Sequence, residues 1–364
     1  MKSIFRFLMY PFALIAALFV IAGAFSIVPV VNARKSAVPA RKVKTARRHG
    51  AEAAVDLRNR RLWFMPMIPE NWVELQEPGL RAIFHQQVQS IVATSKIASL
   101  FNIQTSSRAF EETFSVGGVG DFEEFNGTIQ YDMMKALWKV TYRHKTYVKG
   151  WQIEEDTISD DLYNEITRAP REYGLALART REKHAADTLN NAFSASFLGF
   201  DGKALCATDH PLTPDSSTTH GNKGSTAFSH DAVVATRRLM RKFVDARGQL
   251  VMVMPDTLVV GPDLEDTAQI ITDSLSKPGT GNNDANTQRA KWNVVVWDYL
   301  DDSNNWFMVD GSMARMHNWW WNREEENLQL DPQSAFNRVV RGNIKARWST
   351  GFDDWRWLYG HEVA

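Results

Sequence analysis

Cysteine is almost absent from this 364-residue chain, in which Cys206 is the only one. A single cysteine excludes an intrachain disulfide framework and a structural zinc site built from a cysteine cluster. The nine histidines show no HExxH or other metal-ligand spacing, and the chain has no GxSxG elbow and no P-loop. We therefore expect no catalytic residue, no cofactor and no metal ion.

Uncharged runs of membrane-spanning length are also missing, with one exception at the N terminus. The composition, 44 % hydrophobic and 23 % charged, excludes a disordered chain and a multi-spanning membrane protein. However, no charge occurs from Phe7 to Ala33, and Lys2 and Arg6 precede this run. This layout is typical of a secretory signal peptide or a single anchor. A removable leader and a start codon placed too far upstream are the alternatives.

The formal net charge of zero hides an uneven distribution along the chain. Residues 1–61 contain twelve of the 42 basic residues and only two of the 42 acidic ones, Glu52 and Asp56. The remainder therefore carries 30 basic and 40 acidic residues, a net charge of −10. A basic arm precedes an acidic body. Such an arm is either a solvated linker or a segment that meets nucleic acid or an acidic partner.

The first half of the body alternates between helical and extended patterns. Apolar spacings of three and four predict a helix over 78–100. Alternation at 110–116, 128–131, 139–142 and 146–148 predicts a long β-hairpin with a glycine-rich tip at 117–120. A long helix is predicted over 159–194, and Pro170 either kinks it or begins a second helix.

The second half combines short strands with short helices, so the fold class is mixed α+β. A helix is predicted near 230–245 and another from Pro262. Strands are predicted at 248–255, which we expect to be buried, and at 257–260, 292–297, 305–309, 339–342 and 344–348. A loop is predicted at 277–288.

Three groups of residues could carry chemistry, and each has a plainer interpretation. Cys206, Asp209 and His210 lie together, but catalytic dyads usually join distant segments, so we interpret them as structural loop residues. The glycine-rich tip lacks a following helix and a Lys-Ser/Thr pair, which argues against nucleotide binding. Acidic clusters could hide a glycosidase pair, although solvated faces are more common. These clusters are Glu111-Glu112, Glu123-Glu124, Glu154-Glu155 and Glu324-Glu325-Glu326.

Tryptophan is concentrated near the C terminus, with eight between Trp297 and Trp357. Such residues serve a sugar- or base-binding module, or they form core and subunit interfaces. Abundant contact-forming residues without catalytic motifs favour a structural assembly protein.

The order of elements, together with several local matches, resembles a known family. The matches are Asp201–Cys206 leading to His210-Pro211, Leu250–Pro255, Leu258–Glu265 and Arg338–Gly342. The chain resembles the major capsid (head) proteins of tailed bacteriophages, which have the HK97-like fold, and more narrowly the Mu-like major head subunit family. The likeness extends over roughly residues 65–360.

The resemblance implies an α+β, HK97-like capsid fold with an N-terminal arm, an extended β-hairpin loop, a peripheral domain with a long spine helix, and an inserted axial domain. The implied divisions are an apolar leader or assembly segment (1–33), a basic arm (34–77), a peripheral helix (78–100), the extended loop (101–157), the spine helix (158–197), the axial domain (198–310) and the C-terminal part of the peripheral domain (311–364).

It also implies a function without catalysis. Hexamers and pentamers of the chain would close into an icosahedral head around double-stranded DNA, which they contact non-specifically. Portal, scaffold and head protease would be partners during assembly in the host bacterial cytoplasm, and the mature virion would contain no membrane. Expected inter-subunit contacts are Phe114, Phe122, Phe125, Tyr131, Trp138, Tyr142, Tyr147 and Trp151. Expected arm residues for DNA or an assembly partner are Arg41, Lys42, Lys44, Arg47 and Arg48.

Two other functions stay open on the sequence alone. One is an exported or membrane-anchored hydrolase, and the other is a non-viral, encapsulin-like shell subunit. Because shell assembly in the cytoplasm needs no signal peptide, we interpret residues 1–33 as a removed leader, a misplaced start or a segment buried between subunits rather than an export signal.

Overall fold

A computed structural model describes residues 69–129, 131–134, 136–154, 160, 165–281, 284–331 and 339–364. The leader (1–33) and all five basic residues expected to meet DNA, Arg41, Lys42, Lys44, Arg47 and Arg48, lie outside the described residues.

The first helix begins earlier than predicted and ends sooner. Helix α1 spans Pro69–Val92, so its start lies within the predicted arm, and a short helix α2 follows at Ile97–Leu100. Between them, the Ser95 hydroxyl accepts a hydrogen bond from the Ile97 N–H (3.2 Å) and donates to Glu182, which ends the helical path. The expected helix over 78–100 is thus two helices, and α1 continues through Pro78 and Gly79 to Pro69 rather than beginning at residue 78.

A four-stranded sheet combines two strands from the first half of the chain with two strands from its C-terminal part. Its strands are β1 (Asn102–Thr105), β4 (Lys145–Glu154), β11 (Asn318–Asp331) and β12 (Val339–Phe352). They lie in the order β1-β11-β12-β4, with β1 parallel to β11 and the other pairs antiparallel. The two short strands predicted at 339–342 and 344–348 are one continuous strand, because Gly342 and Asn343 keep their pairing with Trp151 and Gly150.

The hairpin leaves this sheet as a separate two-stranded arm. Strands β2 (Phe110–Val116) and β3 (Ala136–Arg143) pair antiparallel, whereas β4 belongs to the larger sheet. The strand predicted at 128–131 is wrong, since residues 128, 129 and 131 lie outside any strand. Its alternation belongs to the long tip of the hairpin.

The long helix α3 (Glu165–Asn190) lies beside the four-stranded sheet and α1. Its buried face carries Ala185, Ala186 and Leu189. Pro170 lies inside the first turns of one helix, which answers the question that the sequence left open. Phe84 and Val88 of α1 complete a small core with Leu328 and Ile344 of the sheet.

A five-stranded sheet, in the order β7-β13-β10-β8-β9, is the centre of the remaining part of the described chain. Its strands are β7 (Lys223–Gly224), β8 (Thr257–Val260), β9 (Asn293–Val296), β10 (Trp306–Val309) and β13 (Leu358–His361). Helices α4 (His230–Met240), α5 (Glu265–Asp273, after a 3₁₀ turn at Pro262–Leu264) and α6 (Gly311–His317) and the small β5–β6 pair (His210–Pro211, Thr219–His220) complete the list of elements.

The strand predicted at 248–255 is wrong. Residues 251–256 belong to no strand, and Leu250, Met252 and Met254 are 72 %, 86 % and 62 % exposed, although Val253 is buried. The backbone there bonds to loops rather than to a strand, as when the Met254 N–H donates to Asp310 Oδ2 at 2.7 Å. The unbroken apolar run at 250–254 is therefore a half-exposed segment outside the sheets rather than a buried strand.

The tryptophans of the C-terminal half form the core rather than a binding face. Six are at most 2 % exposed, namely Trp297, Trp306, Trp320, Trp348, Trp355 and Trp357. Trp348 stacks on Tyr147 (4.0 Å between ring centroids) and lies 6.0 Å from Trp320, which connects β12, β4 and β11. Replacing a buried tryptophan by alanine typically costs about 3–5 kcal/mol, so these rings are the main anchors of the fold.

Candidate assembly surfaces

The hairpin tip, defined as residues 117–129 and 131–134, is the most exposed apolar part of the described chain. Phe122, Phe125 and Tyr131 are 102 %, 72 % and 88 % exposed. Val119, Ile129, Met133 and Met134 add further exposed apolar surface. Soluble monomers seldom leave such clusters uncovered, so the tip has the character of a protein-binding surface.

The structure separates the eight expected contact residues into two sets. Phe114, on β2, belongs with the three tip aromatics to the exposed set. The other four make contacts inside their own chain. Trp138 lies edge-on to Phe200 (5.3 Å), Tyr142 is buried with its hydroxyl 3.1 Å from Thr113 Oγ1, Tyr147 stacks on Trp348, and Trp151 lies 4.9 Å from Tyr173.

His144 occupies the base of the hairpin, between β3 and β4. Its Nδ1 lies 3.0 Å from Ser349 Oγ on β12, and its Nε2 lies 3.2 Å from Ser106 Oγ, just before β2. Ser106 also donates to Glu111 Oε1 at 2.7 Å. Burial lowers the pKa of His144, so the ring is neutral at pH 7. The His144 side chain thus links the two chain segments at the base of the arm, one before β2 and one after β3, to strand β12 of the sheet.

A groove of about 360 Å³ lies between β4 and α3. Tyr147, Tyr173 and Leu177 supply apolar walls, and Lys149 and Arg179 supply two cations. No carboxylate lines it, so this face of the described chain is electrostatically suited to an acidic segment.

The Cys206–His210 loop is structural, as interpreted from the sequence. Burial raises the pKa of the Cys206 thiol, which keeps it protonated and unreactive. His210 lies 2.5 Å from Asp201, 3.1 Å from Asn222 and stacks on Trp355 at 4.6 Å. The imidazole is thereby held in the core rather than aimed at the thiol.

Two of the four acidic clusters, Glu111-Glu112 and Glu324-Glu325-Glu326, pair with nearby cations. Lys139 contacts Glu112 at 2.7 Å, Arg181 contacts Glu326 at 3.1 Å and Lys345 contacts Glu324 at 2.9 Å. Within the described ranges, no group of three His, Cys, Asp or Glu side chains could hold a metal ion, and no helix is long and apolar enough to cross a membrane.

The glycine-rich tip is folded against its own chain. The Gly120 N–H donates to Asp132 Oδ2 at 2.8 Å, and Arg247 Nη2 donates to Asp132 Oδ1 at 2.5 Å. The Asp132–Arg247 pair and His144 are contacts that the sequence reasoning missed. The only local signal is Asp245-Ala246-Arg247-Gly248-Gln249, whose glycine indicates a turn.

Comparison with known proteins gives a family and a fold. Residues 139–360, more than half of the chain, match the family model described as phage capsid protein. No curated protein sequence matches the chain.

Among solved structures, the capsid of cyanophage P-SCSP1u is similar, with a TM-score of 0.52 and 11 % identity over 74 % of this chain and 88 % of that one. A structure from Microbacterium phage Oxtober96 has a TM-score of 0.48 and 10 % identity, over 74 % and 91 %. A virus-like particle from Pyrococcus furiosus has a TM-score of 0.48 and 9 % identity, over 77 % and 98 %. The chain belongs to the phage capsid protein family and has the HK97-like α+β fold of shell-forming major capsid proteins.

Proposed function

We propose that this chain is a major capsid protein of the Mu-like type, which assembles into hexamers and pentamers that close into an icosahedral head around double-stranded DNA. The observation that carries the proposal is the exposed aromatic tip on a two-stranded arm of an HK97-like fold. The Mu-like assignment is supported by the local matches at Asp201–Cys206 and Leu258–Glu265.

In this proposal, each segment has its own structural role in the subunit. Residues 101–157 are the extended loop, 158–197 contain the spine helix, and 198–310 form the axial domain. Residues 311–364 return to the peripheral domain beside the helical region 78–100, which contains the end of α1 and all of α2. Strand β13 pairs with β10 and β7, so Leu358–His361 extend the axial sheet. The final segment therefore ties the two domains together.

Contacts between subunits are head-to-tail, because the tip of one subunit meets a different surface of the next. Head-to-tail contacts close into rings when the rotation between subunits allows it. We assign Phe114, Phe122, Phe125 and Tyr131 to this contact. Trp138, Tyr142, Tyr147 and Trp151 support it by fixing the arm and its base to the body.

The charge distribution fits packaging of a polyanion. The net charge of −10 after residue 61 limits tight wrapping of DNA on the shell, so the genome can enter and leave. Arg41, Lys42, Lys44, Arg47 and Arg48 are proposed to contact DNA or an assembly partner. Residues 1–33 are proposed to be a leader or an assembly segment, and portal, scaffold and head protease to act during assembly in the bacterial cytoplasm.

The test is to express the full chain and to study it by size-exclusion chromatography and negative-stain electron microscopy. We expect shells, or capsomers of about 250 kDa for six subunits of 41.4 kDa. A stable monomer would contradict the capsid proposal, and hydrolysis of a glycan by that monomer would support the exported hydrolase. Flanking portal, protease and terminase genes would separate a phage head from an encapsulin-like shell, and intact mass would show whether Met1–Ala33 is retained.

A further inference from the structure

Polar contacts attach the hairpin tip to the turn Asp245–Gln249, which we name the catch. Arg247 Nη2 reaches Asp132 Oδ1 (2.5 Å) and the Met133 carbonyl (3.5 Å). With its amide oriented to satisfy both partners, Gln249 donates to the Val119 carbonyl (3.0 Å) and accepts from the Asp121 N–H (3.2 Å). The catch therefore holds both sides of the tip.

The catch is a pre-organised turn rather than a loose loop. One carboxylate oxygen of Asp245 accepts from the backbone N–H groups of Arg247 (2.8 Å) and Gln249 (2.9 Å). Gly248 has φ of +84°, a left-handed conformation that glycine adopts without strain.

The surface of the catch also fits the tip closely. Gly118 lies so near Asp245 that a Cβ atom on Gly118 would overlap the Asp245 carboxylate. Gly120 is likewise close to both partners of the ion pair, since a Cβ atom there would lie 3.4 Å from Arg247 and from Asp132. Two segments separated by more than 100 positions in the chain are therefore complementary in both shape and charge.

The caught position leaves the large aromatic side chains of the tip mostly uncovered. Phe122, Phe125 and Tyr131 stay exposed, while the Asp132 and Arg247 side chains are themselves 40 % and 37 % exposed. Exposed ion pairs contribute little to stability and weaken as salt screens them. The tip is thus held by contacts that break easily, and its aromatic side chains gain burial only on another surface.

We propose that the catch restrains the hairpin tip in the unassembled subunit, and that binding to a neighbouring copy of this chain displaces it. The inference rests on the proposed function, because the displacing partner is a second subunit. If only a released tip can bind, the apparent association rate is the intrinsic rate multiplied by the fraction of subunits whose tip is released. The catch thereby slows premature assembly until subunits are abundant.

Chymotrypsin cleaves after Phe122, Phe125 and Tyr131, whose rings are exposed even in the caught position. A protease also needs several residues of backbone that are free to enter its cleft, and the catch holds the backbone of the tip at Val119, Asp121 and Met133. The cleavage rate of the unassembled full chain at these sites therefore rises with the released fraction. Arg247→Ala should accelerate cleavage at these sites about fivefold, the factor expected for loss of roughly 1 kcal/mol of exposed polar contacts. The control is Arg241→Ala, which removes the same charge from an exposed position that makes none of the contacts described for the tip. This variant should be cleaved at the parental rate.

A charge swap tests whether the pair acts directly. Asp132→Arg alone places two cations together, Arg247→Asp alone places two carboxylates together, and each should raise the cleavage rate. The two substitutions combined should bring the rate part of the way back toward the parental rate, because the swap restores the ion pair but not the acceptor for the Gly120 N–H. A double variant cleaved as fast as the faster single variant would overturn direct pairing.

Light scattering of full-length protein gives a second readout, the initial rate of assembly. Arg247→Ala should increase that rate by about the same factor as the cleavage rate. Equal cleavage of Arg247→Ala and Arg241→Ala would overturn the catch. Faster cleavage without faster assembly would overturn its restraining role. Failure of every variant, and of the parent, to form particles would instead contradict the proposed function, because the cleavage comparison does not depend on particles.

Discussion

Aromatic side chains occupy both the two-sheet body and the hairpin tip, but the two regions use them in opposite ways. In the body, Trp306, Trp320 and Trp348 are fully buried between strands and helices. At the tip, Phe122 and Phe125 lie in solvent, and the backbone near them is anchored by hydrogen bonds and one ion pair. The body is stabilised by burial of apolar area, whereas the tip is stabilised by weak polar contacts.

The difference separates apolar surface that is buried when one chain folds from apolar surface that is still exposed in the folded chain. Burial in the body happens on folding of one chain, so it supports a subunit that is stable alone. The apolar surface of the tip stays exposed in the single chain, so under the proposed function its burial is coupled to assembly. Folding and assembly therefore draw on separate sets of residues, and substitutions should separate their effects.

The largest change in the free energy of unfolding is expected from a substitution in the core of the body. Trp348→Ala removes a buried ring that stacks on Tyr147 and lies beneath the Arg181 guanidinium (5.9 Å), and it should lower the free energy of unfolding by about 3–5 kcal/mol. Trp348→Phe should cost clearly less, because the indole Nε1 makes no hydrogen bond within the described chain. Urea denaturation followed by circular dichroism measures both, and equal losses would contradict ring packing as the cause.

A second effect concerns the buried His361 in the five-stranded sheet. Its Nδ1 accepts from the Thr226 N–H (3.2 Å), its Nε2 lies 2.8 Å from Thr236 Oγ1, and the ring stacks on Trp306 at 4.1 Å. Burial lowers the pKa of His361 from 6.5 to about 4. The unfolded chain therefore binds a proton at a higher pH than the folded chain does.

The sign of the pH effect follows from that lowered pKa. Stability from the neutral ring is complete above pH 6.5 and is lost as the pH falls from 6.5 toward 4, by about 3 kcal/mol for a shift of this size. His361→Gln should reduce this loss, and it should lower stability at pH 7 because the stacking is lost. Denaturation curves at pH 7 and pH 4.5 check this, and parallel pH profiles for parent and variant would contradict it.

Local patterns predicted much of this fold and failed where contacts are distant. Alternation located β2 at 110–116, and apolar runs located β8 and β9. The run 250–254 misled, since a continuous apolar segment reads as a buried strand although every second side chain faces solvent. No periodicity could reveal the pairing of Asp132 with Arg247, because it depends on how the arm folds over the body.

The smallest effect on folding is expected at the tip, and it is the sharpest test of the comparison. Phe122→Ser combined with Phe125→Ser removes two exposed rings, so the free energy of unfolding should change by less than about 0.5 kcal/mol. Assembly into particles should nevertheless fall strongly, because these rings are the proposed contact with the neighbouring subunit. The matched control is Ile270→Ser, an exposed apolar residue on α5. If the control impairs assembly as much as the double variant, general surface polarity and not the tip drives association. If the double variant unfolds as readily as Trp348→Ala, the tip contributes to folding, and the separation between the two regions fails.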